Sequence, residues 1–125
     1  MSAESSWVRD LVEFALDRDI SEEIEAQLGI LREYPELASA HFNLGVLYYS
    51  QRRLEDSIRE YLMAIECDPT MGKAYRKLGE IYVGLDDCKQ AGRYAVMAAE
   101  RGDSALLDAF RRYPLMRQFV EVEEE

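Results

Sequence analysis

Side chains that could carry out chemistry are few in this chain of 125 residues, which contains one histidine and two cysteines. No GxSxG, HExxH or glycine-rich phosphate loop accompanies His41, Cys67 or Cys88. The cysteines do not form a CxxC pair, so we interpret both as buried free thiols rather than disulfide or metal ligands. We interpret His41 as a half-buried packing residue, and we predict no catalytic residue, no metal site and no cofactor.

One arrangement would reopen the enzyme hypothesis. A nucleophile needs a base within hydrogen-bond reach, so a pocket that grouped His41 with Cys67 or with carboxylates would be a candidate active site. We expect the fold to keep these groups apart.

The charge of the chain excludes some classes of partner. Fifteen Lys and Arg against 25 Asp and Glu give a net charge of -10, which opposes nonspecific attraction to nucleic acid or to an anionic membrane. No apolar run approaches the roughly 18 residues that span a bilayer, and the amino end does not read as a secretory signal. We therefore predict a cytoplasmic protein with neither nucleic acid nor membrane as a partner.

Apolar residues recur at helical spacing along nearly the whole chain, and strand patterns are missing. The sequence therefore predicts an all-helical fold. Pro69 cannot donate a backbone hydrogen bond, so a helix should close near Cys67 or Asp68, and Thr70 can cap the next one. Gly84 suits a left-handed helix end, and Asp86 or Asp87 can cap the helix that follows.

Residues 38–71 and 72–105 repeat one another at a spacing of 34 residues. In register, the second unit of the chain, residues 38–71, carries Leu44, Gly45, Tyr48, Tyr61, Ala64 and Pro69. The third unit, residues 72–105, carries Leu78, Gly79, Tyr82, Ala95, Ala98 and Asp103 at the equivalent positions. This period and pattern resemble the tetratricopeptide repeat family. The resemblance implies a right-handed superhelix of antiparallel helix pairs whose concave face binds a peptide or a partner protein.

On this basis we predict one domain over residues 1–120. A degenerate repeat occupies residues 4–37, with helices from about Ser6 to Asp17 and from about Ser21 to Glu33. Two full repeats follow at 38–71 and 72–105, and a capping helix over 104–120 covers the apolar end, where Ser104 can cap its first turn. The acidic tail, residues 121–125, is expected to be disordered.

Two glycines lie within the predicted helices, where each costs about 1 kcal/mol relative to alanine. We interpret Gly45 and Gly79 as points of close helix approach, with Ala64 and Ala98 as the matching small surfaces. The alternative is that these glycines are merely tolerated.

The resemblance also implies which residues of the first helix of each pair face a ligand. The candidate groove residues are Phe42, Asn43, Val46, Tyr49, Lys73, Arg76, Lys77 and Glu80. Phe42, Val46 and Tyr49 follow helical spacing and form an apolar stripe, which the terminal helices could alternatively cover. The basic residues belong to a unit, residues 72–103, with six basic and five acidic residues in an otherwise acidic chain. They could bind an anionic group, or they could be ordinary solvated charges, with Glu80 as an internal counterion.

Some members of this family hold the terminal carboxylates of chaperones with a clamp of lysine, asparagine and arginine side chains. Asn43, Lys73 and Lys77 fall at the last three clamp positions, with lysine in place of arginine. The first two positions carry Val8 and Val12, which offer no donor. The resemblance therefore implies at most a partial clamp.

Two functions follow from these observations. The first is a noncatalytic adaptor that binds a peptide or partner protein in its groove. The second is a structural or scaffold protein that self-associates, as a homo-oligomer, or assembles into a larger complex through its unit ends or its groove.

Overall fold

The computed structural model describes the backbone of residues 2–121, and the side chains of residues 7–11 and 20–121. The elements are helices: α1 Ser2–Glu33, α2 Ala38–Ser50, α3 Leu54–Cys67, α4 Gly72–Gly84, α5 Cys88–Glu100, α6 Ala105–Arg112 and α7 Pro114–Arg117. Within residues 2–121 no strand occurs, so the prediction of an all-helical fold is confirmed. The predicted disorder of the tail concerns residues that, beyond Glu121, lie outside this description.

The first helix is longer than the sequence predicts. A turn was expected between Asp17 and Ser21, but α1 continues through this segment as one helix of 32 residues. The predicted pair of helices is therefore wrong in its boundaries. The physical reason is that residues 17–21 contain neither glycine nor proline, so nothing in the backbone obliges the helix to stop.

The two pairs α2–α3 and α4–α5 repeat one another in three dimensions. Leu44 and Leu78, which are 34 residues apart, are both inaccessible to solvent, and so are Ala64 and Ala98. The backbone repeats as well, because Arg52 and Asp86 both adopt a φ of 60° in the turn between the helices. The repeat found in the sequence is therefore also a repeat of structure.

Close helix approach at the two glycines is confirmed, although the partners differ from those predicted. A Cβ atom at Gly45 would lie 2.6 Å from the ring of Tyr61, and the Ser57 hydroxyl donates to the Gly45 carbonyl at 2.7 Å. At Gly79 the added Cβ would collide with Leu106 of α6. At each glycine the space is thus filled by a large side chain, from the paired helix at Gly45 and from α6 at Gly79, and not by the predicted alanines.

The turns between helices lie where the sequence predicts them, but only some of the predicted residues end or cap the helices there. Asp86, not Gly84, adopts the left-handed conformation that ends the first helix of the pair. Asp87 caps α5 as predicted, by accepting a hydrogen bond from the backbone of Gln90 at 3.1 Å. Thr70 does not cap α4, because its hydroxyl donates to Asp68 at 2.6 Å.

The C-terminal segment packs on the third unit. Leu107 and Phe110 of α6 and Val120 after α7 are buried against Ala91 and Ala95 of α5. Ser104 precedes α6 as predicted, but its hydroxyl donates to Asp108 instead of accepting from the backbone. Gly92 lies so close to this segment that an added Cβ would collide with the carbonyl oxygen of Phe119. The segment after α6 is therefore in direct backbone contact with α5.

Both cysteines are free and half-buried, which is more exposed than predicted. Among the described helices, none is both long enough and apolar enough to cross a membrane.

The contact at Gly92 yields a first prediction. Gly92→Ala should lower the free energy of unfolding by about 1–3 kcal/mol, because a backbone carbonyl cannot move aside as a side chain can. Gly84→Ala is the matched control, since no atom lies within 4 Å of a Cβ at that position. Urea unfolding of both variants provides the measurement, and equal stabilities would contradict the packing described for residue 119.

Candidate protein-binding surface

The eight candidate groove residues lie on two neighbouring helices. Phe42, Asn43, Val46 and Tyr49 belong to α2, and Lys73, Arg76, Lys77 and Glu80 belong to α4. We call the surface formed by these two helices the α2–α4 face.

A cleft of about 50 Å³ opens on this face. Four of the candidate residues line it, namely Val46, Tyr49, Lys77 and Glu80, together with Tyr61 and Ile81. Val46 is 39% exposed and Tyr49 is 50% exposed, so the described part of the chain leaves their apolar surface open. The cleft therefore combines an apolar floor with one cationic and one anionic side chain.

Tyr61 and Ile81 were missed as cleft residues. Both are nearly inaccessible to solvent and belong to the core. Each still forms part of the cleft wall. Their buried, core-like pattern in the sequence gave no indication of this second role.

Phe42 has a different environment from the rest of the stripe. It is 9% exposed, its ring lies 5.4 Å from that of Tyr61, and it belongs to the core between α2, α3 and α4. The ammonium of Lys73 lies 4.4 Å from the ring centre, in the geometry of a cation–π contact. Phe42 thus offers little surface to a ligand, which corrects its interpretation as a ligand contact.

The basic residues of α4 are largely engaged inside the protein. Arg76 donates to Asp103 at 2.8 Å and to Glu80 at 2.6 Å. The hydrogen bond with Asp103, and secondly the one with Glu80, raises the pKa of the Arg76 guanidinium above its ordinary value. Lys77 lies 3.8 Å from Glu80. Glu80 therefore acts as the internal counterion that the sequence left as an alternative.

The residues at the chaperone-clamp positions do not form a set of free donors. Asn43 donates its amide to Gln27 of α1 at 3.4 Å, and Lys73 is held over Phe42. Val8 is exposed, and the side chain of Val12 lies outside the described part of the chain.

His41 contacts a carboxylate, which corrects the expectation that the fold keeps them apart. Its Nε2 donates to the backbone carbonyl of Pro35 at 2.9 Å, and its Nδ1 lies 2.7 Å from an oxygen of Glu60. The ring is 7% exposed, so it is more buried than predicted. Because both ring nitrogens have protein partners, the arrangement ties three segments together and leaves no nitrogen for a substrate.

Cys67 lacks the features of an activated nucleophile. Burial, followed by the negative charges of Glu36 and Glu66, raises the pKa of its thiol. A raised pKa reduces the thiolate fraction, which is the reactive form. Among the described residues, moreover, no group of three potential metal ligands occurs.

The helix pair α2–α3 coincides with a known family. Residues 38–71 match the family model described as tetratricopeptide repeat. This segment of the chain is a tetratricopeptide repeat. Its helices pack in adjacent pairs, as in the α-α superhelix of that family.

A relative with the same repeat is the TPR repeat-containing thioredoxin TTL4 of Arabidopsis thaliana. It is 28% identical over 71 residues, which cover 57% of this chain and 10% of the relative. The match therefore spans about a tenth of that protein's length. Tetratricopeptide repeats generally mediate protein–protein interaction and are noncatalytic modules.

Tyr61, which lies between core and cleft, yields a prediction for alkaline pH. Burial raises the pKa of Tyr61 to about 12, whereas an unfolded tyrosine titrates at about 10. Between these values the unfolded chain binds fewer protons than the folded one, so stability should fall as the pH rises through this window. The loss attributable to Tyr61 is on the order of 2 kcal/mol.

Thermal or urea unfolding of wild type and Tyr61→Phe between pH 9 and pH 12 measures this effect. The variant should lose less stability across the window. A smaller slope must remain, since burial also raises the pKa values of Tyr48 and Tyr94. Equal slopes in the two proteins would show that Tyr61 ionises as readily as an exposed tyrosine.

Proposed function

We propose that this chain is a noncatalytic adaptor whose α2–α4 face binds a peptide segment or helix of a partner protein. The observation that supports this most directly is the cleft between the two helices. It offers exposed apolar surface of Val46 and Tyr49 in a tetratricopeptide repeat domain, whose general role is protein binding. A cytoplasmic location stays a prediction.

The contact residues that we propose are fewer than the eight candidates. Tyr49 and Val46 would contact apolar side chains of the ligand, because they combine exposure with a concave setting. Lys77 would contact an acidic group at the edge of the cleft, and Lys73 could do so after leaving the ring of Phe42. Phe42 and Arg76 would act indirectly, by holding Lys73 and Glu80 in place.

The ligand that suits this surface carries an apolar side chain close to an acidic one. A cleft of about 50 Å³ has room for part of one side chain, so specificity would rest on a single anchor residue. The competing carboxylate of Glu80 means that the ligand must replace an existing ion pair at Lys77. Charge should therefore contribute less to affinity than the apolar contact does.

A chaperone tail is a special case of this proposal. Asn43 and Lys73 would have to leave Gln27 and Phe42 before they could bind a terminal carboxylate. Acidic C-terminal peptides with a free and with an amidated end separate this case from the general one. Stronger binding of the free acid would support a partial clamp.

The proposal predicts which substitutions weaken binding. Peptides selected against the wild-type chain from a displayed library serve as the probe, and calorimetric titration gives the affinities. Tyr49→Ala should weaken binding about tenfold or more, because it removes the largest exposed apolar group at the cleft. Lys73→Glu/Lys77→Glu should weaken peptides with an acidic residue and spare neutral ones.

Two matched controls lie outside the face. Leu62→Ala removes an apolar side chain of α3 that is 45% exposed, and Lys89→Glu/Arg93→Glu reverses two exposed charges of α5. Both controls should bind like wild type. Selected peptides that bind all four variants equally would rule out the α2–α4 face as the binding site.

A further inference from the structure

A second concave surface lies at the turn between α1 and α2, away from the α2–α4 face. One hollow of about 480 Å³ is lined by residues 33–37, and an adjoining one of about 570 Å³ is lined by Pro35, Glu36, Met63, Glu66 and Cys67. Because the two hollows share Pro35 and Glu36, they form one continuous surface, which we call the acidic groove.

The acidic groove is both apolar and negatively charged. Tyr34 is 62% exposed and Leu37 is 42% exposed, and Met63 is exposed on the opposite wall. Glu33, Glu36 and Glu66 make no ion pair with any residue that the structure describes. The negative charges act on a neighbouring group. Burial is the main cause of the raised pKa of the Cys67 thiol, and the charges of Glu36 and Glu66 raise it further. A partner that fits here must bring apolar side chains together with positive charge.

The C-terminal helices of this same chain present that combination. Leu115 is 81% exposed and Tyr113 is 57% exposed, and these residues directly follow Arg111 and Arg112. Neither of these two arginines forms an ion pair with a side chain of residues 7–11 or 20–121. We call residues 111–115 the basic end.

The basic end is held in a fixed shape. Arg117 donates two hydrogen bonds to the backbone carbonyl of Arg111, at 3.3 Å and 3.2 Å, which closes the bend between α6 and α7. Pro114 at the start of α7 further restricts the backbone. A surface that is ordered before association loses less conformational entropy on binding.

The acidic groove and the basic end are separated within one molecule. The groove belongs to α1, α2 and α3, whereas α6 packs on α4, α5 and α7. The helices α4 and α5 therefore lie between them, so the basic end cannot fill the groove of its own chain.

We propose that the basic end of one copy of this chain docks into the acidic groove of a second copy. Arg111 and Arg112 would pair with Glu33, Glu36 and Glu66, while Tyr113 and Leu115 would cover Tyr34, Leu37 and Met63. In such a pair one copy keeps its groove free and the other keeps its basic end free, so the contact is head to tail and can continue into chains of more than two copies. The α2–α4 face takes no part in it, so this inference does not depend on the proposed function.

Sedimentation velocity from micromolar to millimolar protein tests the proposal. The weight-average mass of the wild type should rise with concentration past that of a dimer, and added salt should reduce it because the paired charges lie at the surface. Glu33→Lys/Glu36→Lys in the groove and Arg111→Glu/Arg112→Glu at the end should each weaken self-association about tenfold or more. Leu115→Ser should weaken it without any change in charge.

Two controls change the net charge by the same amounts elsewhere on the surface. Glu23→Lys/Glu55→Lys matches the groove variant, and Lys89→Glu/Arg93→Glu matches the end variant. Each control should self-associate more strongly than the test variant that it matches. Circular dichroism verifies that all variants are folded.

Mixing provides the decisive measurement. A one-to-one mixture of the groove and end variants should regain self-association, because every groove in the mixture then finds an end of opposite charge. A wild type that stays monomeric throughout the series would overturn the proposal. Controls that weaken association as much as the test variants, or a mixture that stays monomeric, would overturn it as well.

Discussion

The structure depends on how the two helices of each pair approach one another at a glycine. At Gly45 the backbone of α2 is so close to α3 that the ring of Tyr61 occupies the space of a side chain, and Ser57 donates to the same carbonyl. The equivalent contact at Gly79 is different, because residue 95 is alanine where the preceding unit has Tyr61. Leu106 of α6 fills the space instead. The second unit thus completes its own interior, whereas the third is completed by the helix that follows it.

The same packing decides which parts of the α2–α4 face remain available. Phe42 packs against Tyr61 in the core, and the Lys73 ammonium lies over the Phe42 ring. Arg76 is tied to Asp103 at the far end of the third unit. On this face Val46 and Tyr49 keep exposed apolar surface, beside the ion pair of Lys77 with Glu80. A binding role would therefore be concentrated at the cleft and would not extend over the full length of both helices.

Much of this arrangement could be predicted from the sequence, because it depends on local patterns. The spacing of apolar residues identifies α2 to α6, Pro69 marks the end of α3, and the repeat at 34 residues identifies the family. Other features depend on contacts between distant residues. The absence of a break in α1 could not be predicted, since Ser21 is a good cap and is also tolerated within a helix.

The candidate site was harder to predict for the same reason. A stripe of Phe42, Val46 and Tyr49 looks uniform on a helix, but only tertiary packing shows that its first member is buried. Likewise, the pairing of Arg76 with Asp103 spans 27 positions and leaves no trace in local spacing. The acidic groove combines the α1–α2 turn with the end of α3, so its residues are not neighbours in any helical period.

The contacts of His41 have a consequence for the orientation of the first helix. Through one imidazole ring, the linker that leaves α1 is tethered to the middle of α3, with α2 carrying the ring between them. A polar tether is directional, unlike the apolar packing of Ile24 against Leu44 and Tyr48, which tolerates sliding. The only histidine of the chain therefore fixes, through its two hydrogen-bond contacts, the orientation of the 32-residue helix α1 relative to α2 and α3.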